Sequence, residues 1–172
     1  MGVDSRSFGA LIAFVIPGWV LLLGGSLRFP ELQPWIAGSA LASPSVGEFF
    51  HAMLAAVALG VTVSTIRWLT LDWLLQRFSP AVPDPDFRQL EESHQAVSAV
   101  VESHYRFYQF HGNGLIAMWI AVPERWIHFG FQSVELGILL ALTAILSLGA
   151  RDTYLKYAQR LSVVLSEDEP AK

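Results

Sequence analysis

The stretch FGALIAFVIPGWVLLLGGSL (8–27) decides the fold class, because none of its residues carries a charge. A helix of about 20 mostly apolar residues is long enough to cross the hydrocarbon core of a bilayer, which is roughly 30 Å thick. Pro17 and Gly18 lie in the middle of the stretch, where we expect them to kink the helix or unwind one turn. The stretch therefore predicts a membrane-spanning helix that is not cleaved off as a signal peptide.

The composition of the whole chain also indicates a membrane protein. Of its 172 residues, 53% are hydrophobic and only 15% are charged, which is far from an average soluble domain. The chain contains no Cys, and this excludes disulfides, thiolate metal sites, iron–sulfur clusters and cysteine nucleophiles. The net charge of −4 provides no general attraction to nucleic acid or to acidic lipid.

Three further segments approach the length of a membrane span. The predicted spans are 8–27, 49–68, 105–122 and 132–150. The third is the shortest, since only 114–122 is apolar, and it must include the aromatic residues before it to cross the hydrocarbon. The predicted fold class is therefore all-α, a polytopic membrane protein with four transmembrane helices.

The positive residues predict the orientation of these spans, because Lys and Arg are enriched in cytoplasmic loops. Of the 11 Lys and Arg residues, all but Arg28 and Arg125 fall on one side of the predicted spans. This distribution favours four spans with both termini in the cytoplasm.

Helices two, three and four are predicted to extend into the cytoplasm as a helical stalk, formed by 67–78, 86–112 and 151–166. Within 86–122, apolar and aromatic positions alternate in steps of three and four, which is the heptad pattern of coiled-coil packing. We expect an unbroken helix that carries this seam into the bilayer and joins copies of the chain. The predicted oligomer seam consists of Phe87, Leu90, His94, Val97 and Val101.

The stretch HYRFYQFHGN (104–113) stands directly before the apolar part of the third span, and it has two interpretations. In the first, its aromatic residues anchor the helix at the membrane surface, while its polar groups bond to neighbouring helices. In the second, its heptad positions form rings around the axis of an oligomer and line a pore. The pore or gate candidates are His104, Tyr108, His111 and Asn113.

The sequence contains no motif for enzymatic chemistry. It has no zinc-protease motif, no Gly-x-Ser-x-Gly elbow and no phosphate-binding glycine loop. Glu91 and His94 have the spacing of one half of a di-iron site, but the sequence lacks the second pair that such a site needs. We therefore predict no catalytic residues, no metal site and no cofactor.

Two segments together resemble a known family. VGEFFHAMLAAVALGVTVSTIRWLTLD (46–72), followed by HYRFYQFHGNGLIA (104–117), is similar to a family of small four-helix bacterial inner-membrane proteins, over about residues 8–125. The resemblance implies a location in the bacterial inner membrane. It also implies a role as a membrane effector of anti-phage defence, in which oligomers conduct ions under the control of a nucleotide or oligonucleotide made by a partner enzyme.

An anionic regulator of this kind would need a basic site, and the candidate cluster is small. It consists of Arg106, Arg151, Lys156 and Arg160. The segment 84–102 contains five acidic residues and one Arg, and this excess of negative charge disfavours binding of a polyanion. The predicted function is a homo-oligomeric pore or ion channel in the lipid bilayer, gated through its cytoplasmic helices. The alternative is a non-conducting membrane scaffold that docks a soluble cytoplasmic protein.

Overall fold

The computed structural model describes residues 5–37, 46–78, 94–130 and 134–167. Every regular element in these ranges is helical, which confirms the predicted all-α class. In chain order the elements are α1 (Ser5–Arg28), a 3-10 turn (Pro30–Leu32), α2 (Gln33–Ala37), α3 (Val46–Arg67), a first π turn (Trp68–Asp72), α4 (Trp73–Phe78), α5 (His94–Val100), a second π turn (Val101–Tyr105), α6 (Arg106–Phe129) and α7 (Val134–Glu167).

Three helical stretches are long and apolar enough to cross a membrane. They are Leu11–Arg28 in α1, Val46–Phe78 through α3 and α4, and Val134–Leu165 in α7. Helix α6, which contains most of the predicted third span, is not among those found in the described ranges, because its first half carries several polar side chains. The count of four membrane helices therefore stays a prediction.

Helix α6 lies at the centre of the bundle and packs against α1, α3 and α7. It continues past the predicted end of its span and stops at Gly130, whose positive φ of 71° glycine adopts without strain. Helix α7 has 34 residues and combines the predicted fourth span with the predicted stalk segment 151–166.

Helices α1 and α3 cross in backbone contact. A Cβ atom at Gly18 would overlap the carbonyl oxygen of Ala56, and one at Gly60 would overlap the carbonyl oxygen of Phe14. Close approach through small residues is typical of membrane helices, because lipid tails give apolar side chains little reason to associate. Helix α1 continues through Pro17 without an unwound turn, and the adjacent Gly18 makes the contact.

Two apolar clusters hold the bundle together. The main cluster lies at the centre and consists of Val63, Leu71, Tyr108, Leu115, Ile116, Ala150 and Tyr154. A smaller cluster of Val100, Leu161 and Leu165 packs α5 against the last turns of α7. The predicted stalk helices therefore contact each other within one chain.

The predicted seam does not keep a constant phase along the helix that runs through α5 and α6. Val100, directly before the second π turn, is buried, whereas the seam residue Val101, the first of the turn, is half-buried. Tyr105, the last residue of the turn, packs against the main cluster. A π turn holds more residues than an α turn, so it rotates the face that the following helix buries. The expectation of an unbroken heptad seam is wrong here, and the role of the seam between copies stays a prediction.

The members of the seam differ in exposure. His94 is exposed, whereas Val97 and Val101 are half-buried. Phe87 and Leu90 lie outside the described residues.

Candidate functional site

Four polar side chains form a buried network where α1, α3 and α6 meet. The network consists of Arg67, Asp72, Tyr108 and Asn113, which are 2%, 8%, 1% and 0% exposed. Its surroundings are apolar, because Tyr108 itself packs in the main cluster with Leu71 and Leu115. Burial of this depth means that the charges must be neutralised by one another.

Arg67 is the centre of the polar network. Its Nη1 donates hydrogen bonds to both carboxylate oxygens of Asp72, at 2.8 and 3.1 Å. Its Nε donates to Oδ1 of Asn113 at 3.0 Å. The guanidinium carbon lies 4.9 Å from the centre of the Tyr108 ring, within the range of a cation–π interaction.

Two further hydrogen bonds extend the network to neighbouring helices. The Tyr108 hydroxyl donates a short hydrogen bond to Oδ1 of Asp72. The Asn113 side-chain amide donates to the carbonyl oxygen of Ala13 at 2.9 Å. Ala13 belongs to α1, so the polar network links α1, the α3–α4 segment and α6.

The first π turn makes the ion pair possible. Arg67 and Asp72 are five residues apart, and in an α-helix five residues advance about 500°, which leaves the two side chains about 140° apart. In a π turn the backbone bonds connect residues five apart, so these two positions lie one above the other. Both side chains therefore face the interior of the bundle.

Glycine at position 112 provides the space for the arginine side chain. A Cβ atom there would lie 2.7 Å from Cδ of Arg67. Gly112 and Gly114 flank Asn113, and glycines in such positions permit either close helix approach or a hinge. Helix α6 is continuous through both residues, and a Cβ at Gly114 would lie 3.3 Å from Leu146 of α7, so the structure shows close approach.

Aromatic rings cover the polar network on the side of α7. The rings of Tyr108 and Tyr154 meet edge to face at 5.3 Å, and those of Tyr105 and Tyr157 are also 5.3 Å apart. The Tyr154 hydroxyl is buried and forms no hydrogen bond with the described residues.

Two of the four predicted gate residues belong to the polar network and two lie outside it. Tyr108 and Asn113 belong to the network. His111 lies beside it, half-buried against α7, where a Cβ at Gly149 would be 2.7 Å from the imidazole. His104 is half-buried in the second π turn, with Nδ1 2.9 Å from the carbonyl oxygen of Ser103.

The predicted basic cluster is spread over two faces of the bundle. Arg106 lies beside Gly9 of α1 and lines a cavity of about 380 Å³ with Glu102 and Phe107. The other members, Arg151, Lys156 and Arg160, are exposed on α7. Lys156 pairs there with Asp152 at 2.7 Å.

Sequence reasoning missed Arg67 and Asp72 as site residues, because it assigned both to the stalk segment 67–78. A signal was present, since they are the only residues of the Asp, Glu, Lys and Arg types between positions 49 and 75. Ionisable residues inside an apolar stretch usually have a functional role. Their spacing concealed the pairing, because it is not one that an α-helix brings together.

No protein-family model, curated protein or solved structure matches the chain. The resemblance to small four-helix inner-membrane proteins, with the defence role that it implies, therefore stays a prediction.

Proposed function

We propose that the chain is a subunit of an oligomeric membrane pore of the ion-channel type, and that the polar network is a latch that keeps the pore closed. The observation that carries this proposal is the burial of the Arg67–Asp72 pair among apolar helices. Removing two ions from water costs several kcal/mol for each, which only good geometry and further hydrogen bonds offset. Ionisable residues within membrane segments usually mark ion pathways or switches.

The latch acts on α6. Tyr108 and Asn113 both belong to α6, and they bind Asp72 and Arg67 of the α3–α4 segment. Breaking these bonds removes the polar restraint between α6 and the α3–α4 segment. The same helix, with the π turn before it, carries His104 and His111, so a movement of α6 brings polar side chains to a path through the membrane.

The second π turn gives the cytoplasmic helices a means of moving α6. Helix α5 leads through this turn into α6 and packs against α7 through Val100 and Leu161. Conversion of the turn to α-helix would rotate α5 relative to α6, because the turn holds an extra residue. A cytoplasmic protein or a nucleotide that binds α5 or the basic residues of α7 would therefore open the latch.

The outer surface of the bundle fits a lipid environment and contact between copies. Leu54 and Val61 of α3, and Leu140 and Leu148 of α7, are all exposed. Apolar side chains at such positions are satisfied by lipid tails or by another subunit. We place the assembly in the bacterial inner membrane with both termini in the cytoplasm, as the distribution of positive residues favours.

Ion flux through reconstituted protein tests the latch. Asp72→Asn keeps the shape of the side chain but removes the charge that neutralises Arg67. Loss of about 3 kcal/mol from the closed state shifts the closed–open equilibrium by more than about 100-fold, and we expect at least a tenfold rise in flux from liposomes. The matched control is Asp152→Asn, which makes the same change in the exposed pair with Lys156 and should leave flux unchanged.

Two results would count against the proposal. If folded Asp72→Asn protein releases ions no faster than the Asp152→Asn control, the polar network does not hold a gate closed. If, in addition, the protein never conducts but retains a soluble partner through α5 and α7, the scaffold alternative is supported instead.

A further inference from the structure

A cavity of about 560 Å³ lies between α1, α6 and α7 and is open on the bundle surface, where Leu23 and Ile138 are exposed. It is at the end of the bundle opposite to the point where α1 begins. Its walls are mostly apolar, with Leu23, Met118 and Leu139 among the lining side chains. Its polar groups are Ser26, Arg125 and Glu135. These lie near the last turns of α1 and α6 and in the first turn of α7, so the cavity is apolar within the bundle and polar at its end.

We propose that this cavity binds one phospholipid whose headgroup carries both a phosphate and a primary ammonium. The inference rests on the membrane location in the proposed function and does not depend on ion conduction. One acyl chain of this lipid lies along the apolar part, since unfilled space beside these side chains would forfeit dispersion contacts. The volume falls in the range of about 300–1,000 Å³ that is typical of small-molecule sites.

The headgroup has to supply the selectivity, because an acyl chain is as well solvated by lipid tails as by leucine side chains. Arg125 donates a short hydrogen bond to Glu135, and its guanidinium carbon lies 4.0 Å from the centre of the Phe129 ring. A guanidinium group has five N–H donors, so this ion pair leaves donors that suit a phosphate.

Glu135 distinguishes between classes of headgroup. Its side chain is 62% exposed, so its carboxylate is accessible to a second cation beside Arg125. A phosphate on Arg125 and an ammonium on Glu135 neutralise both members of the pair. A headgroup without an ammonium adds a net negative charge to an ion pair that is already neutral, and a trimethylated headgroup has no N–H to donate.

Lipid binding to purified protein tests the cavity. In native mass spectrometry with added phosphatidylethanolamine, phosphatidylglycerol or phosphatidylcholine, we expect one phosphatidylethanolamine for each subunit, bound at least tenfold more tightly than the other two. Leu139→Trp places an indole in the cavity and should abolish this adduct. Leu140→Trp makes the same change at the next residue, which is exposed and lies outside the cavity lining, and should retain the adduct.

A second pair of variants tests the selectivity for the headgroup and leaves the apolar part of the cavity unchanged. Glu135→Gln should lower the preference for phosphatidylethanolamine over phosphatidylglycerol at least tenfold, whereas Glu31→Gln, at an exposed acid, should preserve it. Equal binding of the three lipids to the wild type would overturn the proposal, as would an undiminished adduct in folded Leu139→Trp protein. Neither result depends on ion flux, so failure here is distinct from failure of the latch.

Discussion

Arg67 and Asp72 form a buried ion pair across one π turn, although an α-helix would direct residues five apart to different faces. The backbone irregularity and the ion pair therefore depend on each other. Without the π turn the carboxylate would leave the interior, and Arg67 would be a buried charge with Asn113 as its remaining polar contact in the network. The number of residues between the pair, the four residues WLTL, thus determines whether the two side chains meet.

Deleting one residue tests this dependence on length. Removal of Thr70, an exposed residue of the π turn, places the arginine and the aspartate four residues apart, and an α-helix brings that spacing to one face. We expect the protein to fold and to keep the ion pair. Removal of Thr62, an exposed residue of regular α3, would instead rotate one half of the helix by about 100° relative to the other.

Size-exclusion chromatography and thermal unfolding in detergent should distinguish the two deletions. The Thr70 deletion should give a monodisperse peak with a midpoint near that of the wild type, and the Thr62 deletion should aggregate. If the two deletions gave the same elution profile and the same unfolding midpoint, the π turn would tolerate the loss of a residue no better than regular α-helix does.

Two tyrosines in edge-to-face contact should respond in opposite ways to the loss of their hydroxyls. Tyr108 donates to Asp72, so Tyr108→Phe removes a hydrogen bond to a charged group and should lower the free energy of unfolding by about 1.5–3 kcal/mol. The Tyr154 hydroxyl is buried and has no hydrogen-bond partner among the described residues. Tyr154→Phe should be neutral or stabilising, because it removes a polar group that is desolvated without compensation.

Denaturant titration of both variants in the same detergent provides the comparison. A loss of stability for Tyr154→Phe as large as that for Tyr108→Phe would mean that the Tyr154 hydroxyl is satisfied by a group outside the described residues or by water.

The crossing of α1 and α3 makes a further prediction at Gly60. A methyl group there would overlap the backbone carbonyl of Phe14, so Gly60→Ala must separate the two helices and should reduce the yield of folded protein severely. Gly137→Ala is the matched control, because a Cβ in that position meets nothing within 4 Å. Alanine is favoured over glycine in a helix by about 1 kcal/mol, so the control should be as stable as the wild type or more stable. Circular dichroism melts of the two variants measure the difference, and an intact Gly60→Ala protein would contradict the observed crossing.

The sequence was sufficient to predict the helical class, and the uncharged stretch 8–27 specified a membrane-type helix. The heptad stripe and the polar stretch before the apolar run selected Tyr108 and Asn113 as pore or gate candidates. The structure places both in the polar network, and their role in a gate stays a prediction. The heptad prediction failed at 101–105, because periodicity analysis assumes a constant number of residues per turn. The same assumption concealed Asp72 as the partner of Arg67, because residues five apart do not meet in a regular α-helix and nothing in the sequence WLTL indicates a π turn.

Replacing both Arg67 and Asp72 tests whether the ion pair stabilises the fold, controls the gate, or does both. Arg67→Met alone leaves the Asp72 carboxylate buried without its cation, and we expect a loss of about 3–5 kcal/mol in the free energy of unfolding. Replacing both residues, Arg67→Met with Asp72→Leu, should recover part of this loss, because it leaves no buried charge, although the Tyr108 hydroxyl and the Asn113 side-chain oxygen lose their partners. The exposed Lys156–Asp152 pair is the control, and its removal should cost at most about 1 kcal/mol.

The double variant also lacks the bonds from the α3–α4 segment to Tyr108 and Asn113, so a stable protein without a latch is the expected result. Unfolding in detergent and flux from liposomes, measured on the same preparation, should show a higher stability than that of Arg67→Met alone, together with raised conductance. A double variant that is stable and as tightly closed as the wild type would show that the ion pair stabilises the fold without controlling a gate.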